Sequence, residues 1–429
     1  MFNFFKTRAD LPVMDASPDK IRSIYRKYQW QVFLGLVLGY AMFYVVRMSL
    51  NVVKKPMLDA GIVTLEELGV IGSAFLFTYA VGKFSNGFLS DYANIGRFMS
   101  VSLGLSSICT ILMGMNTATF FLVLMWGLNG WFQSVGSAPS CVSIFQWFSP
   151  KQRGSVYSIW GGSRNIGEGI SWILTASVVS FFGWKAGFIG AGLASLAAAL
   201  CMYLVLKDRP QTYALPEPAV AFGEQPEITK KVEPAEIRRA QLFELKHRYA
   251  MSSWAVLYLQ EQKGYNLIDA GFAMSAYPIA GFLGAILAGI ISDKMFNANR
   301  HIPTLLYGLA NIAGMCLMFW GPQSRMMDAV ALALIGYAIG GLVVFLAGLT
   351  ACDLMPKTAV GAVKGFIGLC SYIAASCQEL VSAALIKTSV VDGVTHYDFS
   401  SAQYFWLGAS VVSMLLALTV WNAKKVVEY

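Results

Sequence analysis

The sequence predicts an all-α polytopic membrane protein with about twelve transmembrane helices, arranged as two pseudo-symmetric six-helix halves. Three observations carry that prediction. Of 429 residues, 56% are hydrophobic and 13% charged, against roughly 25% charged in soluble domains. Apolar runs of about 20 residues, the length a helix needs to cross the hydrocarbon core, recur along most of the chain. A short charged motif also occurs twice, at corresponding places in the two halves.

Residues 1–30, MFNFFKTRADLPVMDASPDKIRSIYRKYQW, are charged throughout and lack the apolar stretch and small-residue cleavage site of a secretory signal. They read as a cytoplasmic N-terminal segment. The first half, 31–206, holds spans at 31–51, 68–89, 98–116, 119–145, 157–181 and 185–206. A Pro-, Glu- and Lys-rich segment follows at 207–247, too poor in aromatics to pack a core of its own, and reads as a cytoplasmic linker. The second half, 248–422, holds spans at 248–260, 270–292, 302–321, 328–352, 359–386 and 402–422, with 423–429 as a cytoplasmic tail. The seventh span is short: Arg248 to Gln260 gives about 20 Å of helix against a core of about 30 Å.

Orientation follows from Lys and Arg. Loops on the N-terminal side carry Lys6, Arg8, Lys20, Arg22, Arg26, Lys27, Arg97, Lys151, Arg153, Lys294, Arg300, Lys357, Lys424 and Lys425, and the linker adds more. The other side holds Lys54, Lys55, Lys185, Lys263, Arg325 and Lys387. Positive charge collects on the cytoplasmic side, so both termini are expected inside. The repeat lies at the same connections. Gly87-Phe-Leu-Ser90-Asp91 followed by Arg97 recurs as Gly289-Ile-Ile-Ser292-Asp293 followed by Arg300, an offset of 202 residues. Pro150-Lys151 with Gly154 recurs as Pro356-Lys357 with Gly361, at an offset of 206. Duplicated halves predict such matches.

A cation near the bilayer centre costs about 2.5 to 3.5 kcal/mol or more, so an intramembrane charge marks function by default. Arg47, Lys83, Arg164 and Arg248 qualify, with Lys364 nearer a boundary. Arg47 and Arg248 stand 44 and 45 residues before Asp91 and Asp293, which makes them counterparts in the repeat. Two arginines facing each other across the midplane would offer planar forks of donors suited to phosphate or carboxylate. The alternative is that each cation snorkels to an interface or pairs with Glu168, Glu379 or another carboxylate as structural glue. Tyr40, Tyr44 and Tyr79 share helices with Arg47 and Lys83 and could hydrogen-bond an anion, although packing also explains a helical Tyr. Asp91, Arg97, Asp293 and Arg300 lie at helix ends instead. Charge pairs there either latch the halves closed on the inside or simply cap and anchor.

Other classes find little support. Seven cysteines and three histidines are scattered without metal-ligand or catalytic spacing, so no cofactor and no enzyme is expected. A Walker GxxxxGK[ST] loop is missing, which argues against ATP hydrolysis. The net charge of +8 forms no aromatic-interleaved basic surface, so no nucleic-acid partner is expected.

The paired Gly-x-x-Ser-Asp…Arg loops around a basic linker resemble the major facilitator superfamily. YVVR with Arg47, YAVGKF with Lys83, NGWFQSVGSAP, WFSPKQRGSVYSIW, KDRPQTYALP, SDKMFNANR and MPKTAVGAVKGFIGLCSYIAAS more narrowly resemble its organophosphate:phosphate antiporters, over nearly the whole chain. These include bacterial glycerol-3-phosphate and hexose-6-phosphate transporters and a related hexose-phosphate sensor. The resemblance implies a bacterial inner-membrane carrier that exchanges a phosphorylated metabolite for inorganic phosphate by alternating access. It also implies that Arg47 and Arg248 grip the phosphate while Lys83, Tyr40, Tyr44, Tyr79 and Tyr372 line the pocket.

Departures qualify the transfer. Where that family's fifth helix reads Trp-Asn-x-x-His-Asn, this chain has Trp160-Gly161-Gly162-Ser163-Arg164-Asn165, a fixed cation in place of a titratable group. A Glu common in the family's eighth helix aligns with Pro278. About twenty mostly apolar residues that the family places before the Arg248 position are missing, so Glu244-Leu-Lys246-His247 abuts Arg248. Three explanations stand: the linker dips inward to complete the span, the chain is a degenerate relative, or residues of a longer natural form are absent. Three functions follow. The first is the antiporter; the second is a membrane sensor of a phosphorylated sugar, acting on a membrane signalling partner; the third is a proton-coupled anion carrier using Glu168 and Glu379.

Overall fold

The computed structural model describes residues 2–90, 92–224, 248–296, 301–344, 360–391 and 394–418. Helices dominate, as the apolar periodicity requires. A short α1 (Phe2–Phe5) precedes α2 (Pro18–Asp59), α3 (Leu65–Ser90), α4 (Ile95–Met115), α5 (Thr119–Gln133), α6 (Ala138–Trp147), α7 (Pro150–Val205) and α8 (Pro218–Ala221). The second half contributes α9 (Arg248–Lys263), α10 (Leu267–Met295), α11 (His301–Trp320), α12 (Arg325–Val344), α13 (Val360–Leu385) and α14 (Ser400–Leu418). Each of the twelve spans read from the sequence falls on these helices where its residues are described, to within a residue at its ends. The fourth span is α5 and α6 joined through a 3-10 turn at Ser134–Gly136, and α7 contains the fifth and sixth. Its break is Gly183, at φ 81°, a backbone conformation that a side chain would strain.

Helix ends are where the expected boundaries fail. The first span continues past residue 51 to Asp59, with Pro56 inside its last turn, so Lys54 and Lys55 belong to α2 and not to a loop. Lys263 closes α9 and pairs with Asp328 at 3.2 Å, while Arg325 opens α12 and pairs with Asp269 at 2.8 Å. An unforeseen antiparallel hairpin, β1 (Lys387–Val391) with β2 (Val394–Asp398), joins α13 to α14. The described seventh helix is short, as expected: α9 has 16 residues, about 24 Å of rise.

The linker also differs. Its described part, 207–224, packs onto the first half rather than standing apart. Trp147 is fully buried there beneath Tyr25, Tyr28 and Tyr213, and its indole donates to the Asp208 carbonyl at 2.5 Å. Asp208 accepts from Asn94 Nδ2 at 2.8 Å. Burial lifts its carboxyl above the usual range, against the pull of backbone amides and of Arg209 and Arg8. The segment thus borrows a core it could not build alone.

The two halves meet along two long seams, α3 against α13 and α7 against α10, with α9 resting on α2. Within the second half α10 and α12 approach closely, because a Cβ at Gly340 would stand 2.0 Å from the Gly281 carbonyl. These seams place side chains of both halves around one central point on α2, where Arg47 sits. The face carrying the N-terminal segment and 207–224 is the near face, and the face carrying Asp59, Lys263 and the hairpin is the far face.

Candidate substrate site

Arg47 is buried to 6% exposure, and its surroundings are aromatic. The guanidinium carbon lies 5.6 Å from the ring centre of Tyr44, 5.3 Å from Phe75, 4.7 Å from Tyr79 and 5.4 Å from Tyr372. Three of these rings come from the first half and Tyr372 from the second, so the cage straddles the seam. Helical spacing explains it: Tyr44 is three residues before Arg47, and Phe75 and Tyr79 are one turn apart on α3. Ring faces attract the cation and help to hold a buried guanidinium in place.

Lys83 joins the same cage from one turn further along α3. Its ammonium lies 5.6 Å from the Tyr79 centre and 5.4 Å from Tyr372, whose rings are 4.4 Å apart. Arg47 and Lys83 therefore flank one pair of tyrosines. Tyr40 stacks on Trp160 at 4.7 Å and meets Tyr44 edge-on at 5.4 Å, carrying the aromatic wall across to α7. Arg164 sits on α7 one turn beyond Trp160, half-buried, with Nε and Nη2 each donating to Asn165 Oδ1 at 3.3 Å. Two cations and several phenol hydroxyls converging on a buried point between halves can bind a compact anion with several oxygens.

The remaining residues fare differently. Arg248 is the first residue of α9, five residues before Ser253, and its side chain lies outside the described residues. Asp91 and Arg300 lie outside them altogether, as does the side chain of Asp293 on α10. Arg97 on α4 takes a local role on the near face: its amide is capped by Asn94 Oδ1 at 3.1 Å, and its guanidinium donates to the Phe4 carbonyl at 3.0 Å.

The sequence reading placed Lys54 in a loop and named Glu379 as one carboxylate that could pair a buried cation or serve a proton-coupled carrier; the structure joins the two residues. Lys54 Nζ lies 2.8 Å from Glu379 Oε1 and 2.8 Å from Ser253 Oγ, with the Trp254 ring centre 3.6 Å away. The usable signal was spacing: Lys54 follows Arg47 by seven residues, two turns on the same face.

Comparisons agree with this architecture. The Major Facilitator Superfamily model matches residues 36–377. The chain is 31% identical over 410 residues to the membrane sensor protein UhpC of Salmonella typhimurium, covering 90% of this chain and 92% of that one. It is 30% identical over 469 residues to a glycerol-3-phosphate transporter of Haemophilus influenzae, covering 97% and 95%. A probable hexose phosphate transport protein of Chlamydia pneumoniae is 28% identical over 435 residues, covering 94% and 93%. Among solved structures, a bacterial homologue of the human lysosomal transporter Spinster superposes with a TM-score of 0.69 at 16% identity, over 92% of this chain and 96% of that one. This last likeness speaks to the fold alone.

Proposed function

We propose that the chain, which belongs to the major facilitator superfamily, is one of its organophosphate:phosphate antiporters and exchanges a phosphorylated metabolite, a sugar phosphate or glycerol 3-phosphate, for inorganic phosphate. The observation that carries this reading is the Arg47 cage, a buried cation shared by rings from both halves with Lys83 beside it. Arg47 supplies a planar fork for two phosphate oxygens, and Lys83 adds a point charge. Arg164 and the hydroxyls of Tyr40, Tyr44, Tyr79 and Tyr372 supply further donors, and Arg248 acts as the grip from the second half.

Exchange follows from charge. An empty cationic cavity is costly to carry through the membrane, so the halves rock when an anion occupies it, and two anion gradients supply the driving force. In this reading both termini face the cytoplasm of a bacterial inner membrane, which makes the far face the periplasmic side; the Lys and Arg asymmetry supports it. The test is uptake of radiolabelled phosphate into phosphate-loaded proteoliposomes, challenged with unlabelled glucose 6-phosphate or glycerol 3-phosphate. Counterflow blocked by one of them is the expected outcome; well-folded protein without counterflow refutes exchange. The likeness to a membrane sensor protein favours one other reading, binding of a phosphorylated sugar with signalling to a membrane partner. Saturable binding without counterflow would select it.

A further inference from the structure

We propose that Lys54 and Glu379 form an ion-pair gate between the Arg47 cage and the far face, which opens to admit solute from that side and closes behind it. This rests on the two-halved carrier reading above. Lys54 belongs to α2 of the first half; Glu379 on α13 and Ser253 on α9 belong to the second. The two charged side chains are 1% and 2% exposed, and Ser253 Oγ donates to the carboxylate oxygen that Lys54 engages, at 2.6 Å.

Register places this pair over the cage. Seven residues separate Arg47 from Lys54 on α2, Tyr372 from Glu379 on α13, and Tyr79 from Gly72 on α3. Seven residues are two turns, about 10 Å of rise on one helix face. The three helices therefore repeat one layer: Arg47, Tyr79 and Tyr372 below, and Lys54, Gly72 and Glu379 above. Gly72 is what lets the carboxylate cross, since a Cβ there would stand 2.7 Å from Glu379 Cγ and 2.8 Å from Oε1. Two further links join the halves at this end: the hydroxyls of Ser73 and Ser376 at 2.5 Å, and the ion pair of Lys55 with Glu261.

Stability alone does not account for such a pair, because an apolar pair of the same volume serves as well or better. A moving seam sets a different requirement. When water enters, separated charges regain hydration, whereas an apolar seal would expose its surface; the ion pair can therefore open and re-form. Glu379 Oε2 has no hydrogen-bond partner among the described residues, so the closed state does not satisfy the carboxylate fully.

The test reads accessibility rather than transport. Asn51 lies on α2 one turn from both Arg47 and Lys54, and its Oδ1 stands 3.4 Å from Ser253 Oγ. In a chain whose seven native cysteines are replaced, Asn51→Cys is labelled with a membrane-impermeant maleimide from either face of oriented vesicles. Labelling from the far face is expected to be slow with the pair intact and at least about tenfold faster in Glu379→Gln. The exchanged pair Lys54→Glu with Glu379→Lys should return it to within about threefold of the slow rate, because the attraction is restored with its direction reversed. An oxidised Ser73→Cys with Ser376→Cys bridge should also slow it in Glu379→Gln, reversibly with reductant. Equal rates with and without the pair, or an exchanged pair as fast as Glu379→Gln, overturn the gate. Should Glu379→Gln fail to accumulate, Lys54→Gln and the exchanged pair carry the same comparison. No substrate is needed, so the two readings separate: expected labelling without counterflow removes the antiporter and keeps the gate, and counterflow with indifferent labelling removes only the gate.

Discussion

Two layers of the same three helices surround their buried charges differently. At the inner layer Arg47 and Lys83 rest against the rings of Tyr44, Phe75, Tyr79 and Tyr372, which attract a cation without cancelling it. Two turns further out Lys54 is neutralised by Glu379, with a hydroxyl and an indole completing its surroundings. Ring faces add attraction for a cation but bring no negative charge of their own. A cation held by a carboxylate is already occupied and fastens two helices together. In the proposed reading one layer binds and the other closes, and each prediction acts on one layer at a time.

The largest effect belongs to the outer layer. Removing one member of a buried pair strands the other, at a cost of about 3 to 5 kcal/mol, whereas replacing both by apolar residues is near neutral or stabilising. Glu379→Leu alone should lower the melting midpoint in detergent sharply, and Lys54→Met with Glu379→Leu should recover it. Failure of the double variant to recover would mean that the pair is bound up with Ser253 and Trp254 more tightly than an ion pair requires. Next comes Arg47→Lys, which keeps the charge but loses the planar fork. Exchange should fall about 100-fold, or about 2.7 kcal/mol, with little change in melting midpoint. A variant that exchanges normally would break the comparison, since any cation in the cage would then do.

Gly72→Ala is of intermediate size and leaves every charge in place. Its methyl group would meet Glu379 Cγ at 2.7 Å and push the carboxylate off Lys54. Overpacking of this kind costs about 1 to 3 kcal/mol. The melting midpoint should fall by less than in Glu379→Leu, and far-face labelling of Asn51→Cys should quicken. A loss of stability with unchanged labelling would separate packing from closure.

The inner layer was legible in the sequence because a lone arginine within a long apolar run is costly, and because Tyr44 and Tyr79 share helices with the cations. The outer layer was not. Lys54-Lys55-Pro56 looks like the end of a helix, yet α2 runs on through Pro56 to Asp59. Whether Lys54 is buried depends on a carboxylate 325 residues away, which no local pattern contains. The near face shows the same limit. Residues 207–224 are too polar for a core of their own, yet Trp147 and Tyr25 supply one from the first half. Arg97, read as either part of a latch or a capping and anchoring charge, holds the N-terminal segment through the Phe4 carbonyl and ring.

The smallest predicted effect separates ring from hydroxyl within the cage. The Tyr79 ring centre is 4.7 Å from the Arg47 guanidinium carbon and 5.6 Å from the Lys83 ammonium, so one side chain serves both cations. Tyr79→Phe keeps the face and removes the hydroxyl; Tyr79→Leu removes both. A desolvated cation–π contact is worth about 2 kcal/mol, and a neutral hydrogen bond about 1 kcal/mol. If the ring holds the cations in place, Tyr79→Leu should weaken half-saturation by phosphate at least about thirtyfold, and Tyr79→Phe by about fivefold or less. Equal losses in the two variants would give the hydroxyl the larger part, making Tyr79 a donor to the anion rather than a support for Arg47. The inner layer would then bind by hydrogen bonds on every side, with its contrast to the outer layer resting on Arg47 alone.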